Sequence, residues 1–401
     1  MTLLLFFRKE KQTDLCLQIQ YMVKLGDICK KVTNINSDFI GTIDYIDISS
    51  IDNKRKSIVS TQKLDFSEAP SRAKQLVLSG DILISNVRPN LNAAAMIIND
   101  KNKILVASTG YTVIRCNNNV FNRYVFFFCQ YSGFVDLLVS QATGASYPAV
   151  NASIIKDTII PLPTLEKQHQ IANTLDKLQS IITHIRTQLE KLDLLVKARF
   201  VEMFGDMILN PNKWKKVLLG EVCDVRDGTH DSPKYFVEGY PLITSKNVTG
   251  GKIDFTNCSL ICEDDYNKIN QRSRVDIGDI LMPMIGTVGN PVIVDINEKF
   301  AIKNVALIKF KDNSKVINTF IKSLLESDYF DRVVINKVRG GTQKFISLGD
   351  IRKLNICLPP MELQTQFADF VKQVDQSKSI LQQELTHTQT LFDSLMQEYF
   401  G

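Results

Sequence analysis

Residues 164–204 read TLEKQHQIANTLDKLQSIITHIRTQLEKLDLLVKARFVEMF, without a glycine or a proline. Apolar side chains recur through this stretch at alternating spacings of four and three residues, which is the pattern of the seam of a coiled coil. Arg199 is the polar residue that breaks the pattern. The stretch therefore predicts one long helix whose seam is formed by Ile171, Leu175, Leu178, Ile182, Ile185, Leu189, Leu192 and Val196.

The same pattern returns 196 residues later, with polar interruptions at Lys378 and Thr388. The second seam consists of Phe367, Val371, Val374, Leu381, Leu385, Phe392 and Leu395. The flanking residues also recur at this offset, because Pro163, Gln168, Gln170 and Ala172 return as Pro359, Gln364, Gln366 and Ala368. A repeat of both seam and flanks indicates a tandem duplication built around two matching helices.

The segments before each long helix predict two related globular domains. Short β-rich runs alternate there with Gly, Asn and Pro turns, and one further helix is predicted in each domain, over 122–141 and 316–337. Glycine-rich loops follow these helices, ATGASYPAVN in the first domain and VRGGTQKF in the second. The predicted boundaries are a tail over 1–22, a first domain over 23–163, a central helix over 164–205, a second domain over 206–359 and a C-terminal helix over 360–401.

Helix length predicts the direction of the two helices. About 40 residues make a helix roughly 60 Å long, whereas a domain of about 150 residues is roughly 40 Å across. Parallel helices would require the second domain to carry the chain back along the whole helix, so we expect antiparallel helices. The predicted fold class is α+β, with two α/β domains separated by two long antiparallel coiled-coil helices in a pseudo-twofold tandem duplication.

Composition limits the cellular setting and the cofactors. A net charge of +5 permits a nucleic-acid partner, and no apolar run approaches the length of a membrane span. The opening MTLLLFF is too short for a signal peptide, and Met22 is a candidate natural start. Among the eight cysteines only Cys258 and Cys262 lie close together, without a second ligand pair, so we expect no bound metal. We expect reduced thiols in a cytoplasmic protein.

Several phrases occur in order and in both halves, and together they resemble a known family. They are YIDISSID at 45–52, GDILISNVRPN at 80–90, IIPLPTLEKQHQIA at 159–172, DGTHDSP at 227–233, PLITSKNVTGGKI at 241–253, GDILMPMIGTVG at 278–289 and LPPMELQTQFA at 358–368. The chain is similar in these stretches to the DNA-specificity (S) subunit of a type I restriction–modification system, over nearly everything after Met22.

This resemblance implies a function and a set of partners. It implies that the chain is not catalytic by itself, binds double-stranded DNA, and reads one half of a bipartite, asymmetric target with each domain while the helices fix the spacer. It also implies two modification (adenine methyltransferase) subunits, which hold S-adenosylmethionine, and restriction (translocase–nuclease) subunits. No cofactor is expected on this chain.

Catalytic and structural alternatives compete with this interpretation. The sequences nearest to a methyltransferase's Asn-Pro-Pro-aromatic loop are 210–212 and 358–361, and neither carries the aromatic residue. Asp44 with Asp52 and Lys54 imitates the carboxylates and lysine of a metal-dependent nuclease. A coiled-coil adapter or scaffold that binds proteins remains the main alternative, and salt-sensitive DNA affinity would separate it from a DNA reader.

The residues predicted to contact DNA are polar or basic and lie at strand ends or in loops, where base edges and phosphates are usually read. In the first domain they are Ser85, Asn86, Arg88, Asn90, Ser146 and Tyr147. In the second domain they are Thr229, His230, Lys246, Asn247, Lys337, Arg339, Gln343 and Lys344.

Overall fold

The computed structural model describes residues 21–98, 103–285, 289–311, 313–334 and 345–401. Within these residues the chain divides into two compact units. Unit 1 contains the residues up to Ile185 and Glu384–Gly401, and unit 2 contains Arg186–Gln383. Each unit therefore joins one of the two globular domains to one half of each long helix.

Unit 1 consists of short strands followed by helices. Its strands are β1 (Tyr21–Lys24), β2 (Thr42–Ile46), β3 (Ile51–Asp52), β4 (Ser57–Ile58), β5 (Gln62–Asp65), β6 (Ala73–Val77), β7 (Ile82–Ser85), β8 (Ala94–Met96), β9 (Leu105–Ser108), β10 (Tyr111–Ile114) and β11 (Ile159–Leu162). Its helices are α1 (Asn122–Phe128), α2 (Ser132–Ser140), α3 (Ala152–Asp157) and the first half of the long helix α4 (Leu165–Phe204). Single 3-10 turns cover Leu25–Ile28, Ile48–Ser50, Phe66–Glu68 and Pro89–Leu91.

Unit 2 repeats this order. Its strands are β12 (Lys216–Leu218), β13 (Asp224–Asp227), β14 (Tyr240–Ile243), β15 (Val248–Thr249), β16 (Lys252–Ile253), β17 (Ser259–Ile261), β18 (Ile280–Pro283), β19 (Val292–Ile293), β20 (Ala301–Ile302), β21 (Val305–Lys309) and β22 (Asn355–Cys357). Its helices are α5 (Leu219–Val222), α6 (Glu263–Ser273), α7 (Asn318–Leu325), α8 (Asp328–Val333), α9 (Leu348–Arg352) and the first half of the long helix α10 (Met361–Phe400).

The sheets of the two units share a common core, which confirms the predicted duplication: β5-β2-β9 corresponds to β17-β14-β20, and β10-β7-β8 corresponds to β21-β18-β19. In unit 1 the sheets have the strand orders β5-β2-β9-β6 and β10-β7-β8, and in unit 2 they have the orders β17-β14-β20 and β13-β21-β18-β19. Each unit contains one parallel pair, β2 with β9 and β14 with β20. Strand β6 has no counterpart in unit 2, where helix α6 contacts β20 instead.

Both predicted domain helices are divided in two. In unit 1 the break falls at Tyr131, which is extended and precedes α2. Helix α1 buries five consecutive side chains, whereas α2 buries only Phe134 and Leu138, and one straight helix cannot meet both surfaces. In unit 2 the break falls at Ser327, whose hydroxyl donates to the carbonyl of Leu324 and ends α7. The last residues of that prediction, 335–337, lie outside the described residues.

The predicted tail is too long at its C-terminal end. Tyr21 and Met22 belong to β1, which pairs antiparallel with β11 in the register Tyr21↔Leu162 and Met22↔Pro161. Strands β12 and β22 form the equivalent pair in unit 2. This ladder joins the start of each domain to the strand that leads into the long helix, so residues 21 and 22 are part of the fold.

Contacts within unit 2 establish that the long helices run antiparallel there. The Nζ atom of Lys378 lies 2.6 Å from a carboxylate oxygen of Asp193, and the guanidinium of Arg199 lies 5.8 Å from the centre of the Phe370 ring. Partner numbers therefore fall along α10 as they rise along α4. Two of the three polar interruptions of the predicted seams, Arg199 and Lys378, have partners in these contacts, which explains how a coiled coil tolerates them.

The predicted seam residues are all buried or half-buried. The fully buried ones are Ile171, Leu175, Leu178, Ile182, Ile185, Phe367 and Val374. Inside unit 1 the end of α10 joins the domain core. The ring centre of Phe392 lies 6.2 Å from that of Phe127, and the ring centre of Phe400 lies 5.1 Å from that of Tyr124. Inside unit 2 the end of α4 does the same, with Phe204 4.9 Å from Phe320.

One glutamine in each unit connects a long helix to its domain. Gln168 is 1% exposed, accepts the backbone N–H of Phe121 at 2.9 Å and donates to the carbonyl of Pro163 at 2.9 Å. Gln364 is fully buried, accepts the N–H of Ile317 at 2.9 Å and donates to the carbonyl of Pro359 at 3.0 Å. Phe121 and Ile317 precede α1 and α7, whose first N–H groups have no partner inside the helix.

Two more polar contacts recur between the units. The turn before β7 places buried Asp81 against Arg115, and the turn before β18 places buried Asp279 against Lys309. The Nδ2 atom of Asn122 donates to the carbonyl of Gly80, and Asn318 donates in the same way to Gly278. Both glycines have a φ of 90°, a backbone conformation that other residues rarely adopt. These contacts give a physical reason for the repeated Gly-Asp phrase.

Replacing the buried glutamine should destabilise its unit selectively. The substitution Gln364→Leu leaves the N–H of Ile317 without a partner in the core, so unit 2 should lose about 1–3 kcal/mol of unfolding free energy. The only tryptophan of the chain, Trp214, lies in unit 2, so its fluorescence during urea denaturation follows this unit. The matched control is Gln366→Leu at an exposed position, which should change stability by less than ~0.5 kcal/mol. Equal effects of the two substitutions would contradict this role of Gln364.

Candidate DNA interface

The predicted readers of unit 1 lie at the carboxyl end of the parallel pair β2–β9. The N–H of Asn86, just after β7, donates to the carbonyl of Gly110, just after β9. The hydroxyl of Tyr111 donates to the carbonyl of Asp47, just after β2. The N–H of Arg88 donates to the carbonyl of Pro148 in the glycine-rich loop. Three strand ends and this loop therefore meet at one end of the sheets.

Arg88 and Tyr147 form the most exposed contact of this surface. The guanidinium carbon of Arg88 lies 4.7 Å from the centre of the Tyr147 ring, a cation–π distance, and Tyr147 is 67% exposed. Arg88 has a φ of 50°, in the left-handed region, and begins the 3-10 turn that ends at Asn92. An aromatic platform restricts the planar guanidinium while its N–H groups remain available to a ligand.

The other predicted residues of unit 1 separate into two groups. Asn90 and Ser146 are exposed beside Arg88 and Tyr147 along the chain. Ser85 is only 4% exposed, and its hydroxyl donates to the carbonyl of Val87 at 3.0 Å. The Oδ1 atom of Asn86 accepts the hydroxyl of Thr112 at 2.6 Å. Ser85 and Asn86 therefore shape the turn, and Ser85 does not present a side chain to a ligand.

The equivalent end of unit 2 carries Thr229 and His230. Thr229 forms a bridge with Lys303, whose N–H donates to the carbonyl of Ile243 at the end of β14. Gly228 permits this approach, because a Cβ at that position would lie 2.0 Å from the carbonyl oxygen of Ile302. The phrase DGTHDSP thus folds against the carboxyl ends of β14 and β20. These ends are topologically equivalent to the surface that carries Arg88 in unit 1.

His230 has a hydrogen-bond partner on each side of its ring. Its Nδ1 lies 2.8 Å from Oδ1 of Asn304, and its Nε2 lies 2.7 Å from Oδ2 of Asp227. The hydrogen bonds to Asn304 and then to Asp227 raise the pKa of His230 above its ordinary value. Asp227 is 5% exposed and also pairs with Arg272. The buried carboxylate of Asp227 therefore positions both His230 and Arg272 at this surface.

Lys246 and Asn247 have different roles. Lys246 is exposed at the turn after β14. Asn247 is 6% exposed, accepts the N–H of Thr244 at 3.0 Å and donates to the carbonyl of Asp254 at 3.1 Å. Asn247 therefore holds the turn that presents Lys246 and is not itself a reader. The four remaining predicted residues lie outside the described residues and are Lys337, Arg339, Gln343 and Lys344.

Sequence reasoning missed three participants of unit 2. Asn304 orients His230, Arg272 shares Asp227, and the Nζ atom of Lys303 donates to the hydroxyl of Ser232 at 2.7 Å. The dipeptide Lys303-Asn304 between two apolar runs predicts a turn, but only the fold brings that turn beside His230.

The residues that resembled a nuclease site have structural partners. The Oδ1 atom of Asp44 accepts the hydroxyl of Thr61 at 3.0 Å, and that of Asp52 accepts the backbone N–H groups of Lys54 and Arg55. Within the described residues no group of three or more His, Cys, Asp or Glu side chains has the arrangement of a metal site. The same residues contain no helix that is long and apolar enough to cross a membrane.

Comparison with known families identifies the duplicated architecture. The model of the type I restriction modification DNA specificity domain matches twice, over residues 20–193 and 211–387. The chain belongs to this specificity family. The two matches correspond to the two halves of the duplication, and DNA sequence specificity is therefore the function of the chain.

Several individual specificity subunits are similar in sequence to this chain. The MjaVIII specificity subunit of Methanocaldococcus jannaschii is 30% identical over 266 residues, which is 62% of this chain and 62% of that protein. The putative MjaX specificity subunit of the same organism is 27% identical over 388 residues, or 90% of this chain and 88% of that protein. The EcoKI specificity subunit of Escherichia coli K12 is 23% identical over 288 residues, or 66% and 60%.

Solved structures share the fold of this specificity chain. A chain from a study of complex assembly and conformational transition of the type I restriction–modification system has a TM-score of 0.58 at 23% identity, covering 94% of this chain and 97% of that chain. The type I S subunit from M. genitalium has a TM-score of 0.55 at 15% identity, covering 97% and 98%. Both support the fold class of two domains and two long helices.

The two hydrogen bonds of His230 predict how the stability of the specificity chain depends on pH. The folded pKa is raised above the ordinary value of 6.5, so the stabilising contacts are fully present below pH 6.5 and are lost as the pH rises through the folded pKa. NMR titration, with the resonance assigned by its loss in His230→Gln, should give a pKa above 6.5. The substitution Asn304→Leu should lower that pKa, because the larger contribution is the hydrogen bond to Asn304. An unshifted pKa in the unsubstituted chain would contradict the hydrogen bonds of His230 to Asn304 and Asp227.

Proposed function

We propose that this chain is the non-catalytic specificity subunit of a type I restriction–modification complex, and that each unit reads one half of a bipartite, asymmetric DNA target. The observation that carries this proposal is the equivalence of the two sheet ends. Both lie beyond the carboxyl ends of a parallel pair, yet one presents Arg88 on Tyr147 and the other presents His230 between Asn304 and Asp227. The same scaffold with different side chains suits two different half-sites.

The exposed groups match the donors and acceptors of DNA. Arginine donates in bidentate fashion to O6 and N7 of guanine, and asparagine pairs with N6 and N7 of adenine, so Arg88 and Asn90 are the proposed base readers of unit 1. In unit 2 the exposed residues His230 and Lys246 are proposed to contact base edges or phosphates. Tyr147 supplies the ring that limits the motion of Arg88.

The remaining parts of the proposal concern the complex. The chain is proposed to bind two modification subunits, which hold S-adenosylmethionine and methylate adenine, together with restriction subunits, in the cytoplasm. We also propose that the two long helices fix the number of base pairs between the half-sites. Family membership and the two 40-residue helices support these statements.

Selection of binding sites tests the proposal one unit at a time. The full chain, assembled with its modification subunit, is used to select preferred sites from random duplex DNA, and the selected pool is sequenced. The substitution Arg88→Ala should relax preference at one position of the first half-site by about 1–3 kcal/mol and leave the second half-site intact. The substitution Lys246→Ala should affect only the side of the target read by unit 2.

The exposed Lys177 on α4 provides a matched control, because Lys177→Ala removes a charge from unit 1 without touching the sheet end. It should leave the selected pool unchanged. A pool without any preferred sequence, or one in which Arg88→Ala alters both blocks equally, would contradict the assignment of one half-site to each unit.

A further inference from the structure

A short basic hairpin lies at the same end of unit 1 as the proposed readers. Strands β3 and β4 pair in the register Ile51↔Ile58 and Asp52↔Ser57, and they follow β2 after a single 3-10 turn. The four residues at the tip, 53–56, are Asn-Lys-Arg-Lys. The hairpin therefore begins at the carboxyl end of β2, where the strand ends and the glycine-rich loop meet.

The tip has a defined conformation. The Oδ1 atom of Asp52 accepts the N–H of Lys54 at 2.8 Å and the N–H of Arg55 at 2.9 Å. These two backbone hydrogen bonds, Arg55 first, lower the pKa of Asp52, so the carboxylate is ionised at neutral pH. Lys56 closes the turn with a φ of 52°, and its N–H donates to the carbonyl of Asp52 at 2.8 Å. A turn held in this way presents its side chains without a large ordering cost.

Lys56 connects the hairpin to the turn that contains Arg88. Its Nζ atom donates to the carbonyl of Asn92 at 2.5 Å, and Asn92 closes the 3-10 turn that starts at Arg88. Burial at this contact lowers the pKa of Lys56 to about 8, as expected for an ammonium enclosed between two segments. The tip is thereby fixed beside the base readers proposed for unit 1.

The other two cations of the tip are available to a partner. Lys54 and Arg55 are both exposed, and neither forms a salt bridge with any residue that the structure describes. Two such cations on a fixed turn next to a base-reading surface match the phosphate backbone of DNA, which is contacted mainly by Lys and Arg. Unit 2 has a hairpin at the equivalent place, between β15 and β16, but its tip is Gly250-Gly251.

We infer that the β3–β4 hairpin is a phosphate-binding element that grips the DNA backbone beside the first half-site. Lys54 and Arg55 are its phosphate ligands, and Lys56 is the positioning residue that holds the tip against the Arg88 turn. The inference rests on the proposed function, and it makes backbone binding unequal between the two units. The unit with the basic hairpin contributes more of the salt-sensitive affinity.

Salt dependence measures this contribution directly, because phosphate contacts do not depend on sequence. The full chain with its modification subunit is titrated onto a fluorescent 40-base-pair duplex of random sequence at several KCl concentrations, and log K is plotted against log [KCl]. Each phosphate contact contributes about 0.9 to the slope, so the double substitution Lys54→Ala with Arg55→Ala should lower the slope by about 1.8. Lys54→Arg with Arg55→Lys should preserve it, because both charges remain.

Two further variants test whether the slope depends on the location of the cations in the hairpin or only on net charge, and whether Lys56 positions the tip. Lys156→Ala with Lys177→Ala removes the same charge from exposed positions on α3 and α4 and should leave the slope unchanged. Lys56→Met should weaken binding while changing the slope by much less than 0.9, because it frees the tip without removing a phosphate ligand.

The outcomes distinguish this inference from the proposed function. Salt-dependent binding that is identical in the parent and in the Lys54/Arg55 double variant would overturn the hairpin's role and leave the proposed function intact. An equal fall in slope for the Lys156/Lys177 variant would also overturn it, because net charge would then be the cause. A parent complex without salt-dependent DNA binding would contradict the proposed function itself.

Discussion

The structure of each unit depends on a backbone N–H group that would otherwise be buried without a partner. The residue before the first domain helix, Phe121 in unit 1 and Ile317 in unit 2, faces the start of a long helix. A buried glutamine from that helix accepts the N–H and returns a donor to the carbonyl of a proline, Pro163 or Pro359. An apolar side chain at either position would leave a donor unsatisfied, which costs more than one hydrogen bond contributes.

The hydrogen bonds of this glutamine determine where the sheets of a unit are attached to its long helix. The glutamine fixes the first domain helix on the long helix, and Asn122 or Asn318 at its start holds the Gly-Asp turn before the central strand. The residues proposed to read DNA come directly after that strand or after the strands of the neighbouring parallel pair. The anchors are therefore repeated in both units, while the opposite ends of the strands differ. The exposed residues at those ends, among them Arg88, Asn90 and Lys246, can differ without altering the repeated anchors.

Much of the fold was predictable because its periodicity is strong. The alternating spacings placed the long helices to within one residue, and the matching flanks revealed the duplication. The break between α1 and α2 was not predicted, although Ser132-Gly133 directly after Tyr131 is a local turn signal. The burial of five consecutive side chains in α1 is a tertiary feature that local propensity does not report.

The exposure and the hydrogen-bond partners of the candidate site residues were predictable only in part. Polarity at a strand end predicts an exposed segment around Arg88, but it cannot distinguish an exposed side chain from a buried turn residue such as Ser85 or Asn247. Asp227 lies three residues before His230 in the same phrase, whereas Asn304 lies 74 residues later in the sequence, so only the fold could bring Asn304 beside the ring. The basic hairpin escaped notice because Asp52 resembled a catalytic carboxylate, whereas its oxygen caps the turn.

The central claim is that two units of one chain each read half of a DNA target for a separate catalyst. Mapping of methylated adenines on DNA of known sequence, treated with the modification subunit with and without this chain, tests it most directly. The account predicts methylation only when both proteins are present, at one motif made of two specific blocks separated by a fixed, unspecific gap. Methyl transfer by this chain alone, or a single uninterrupted motif, would contradict it.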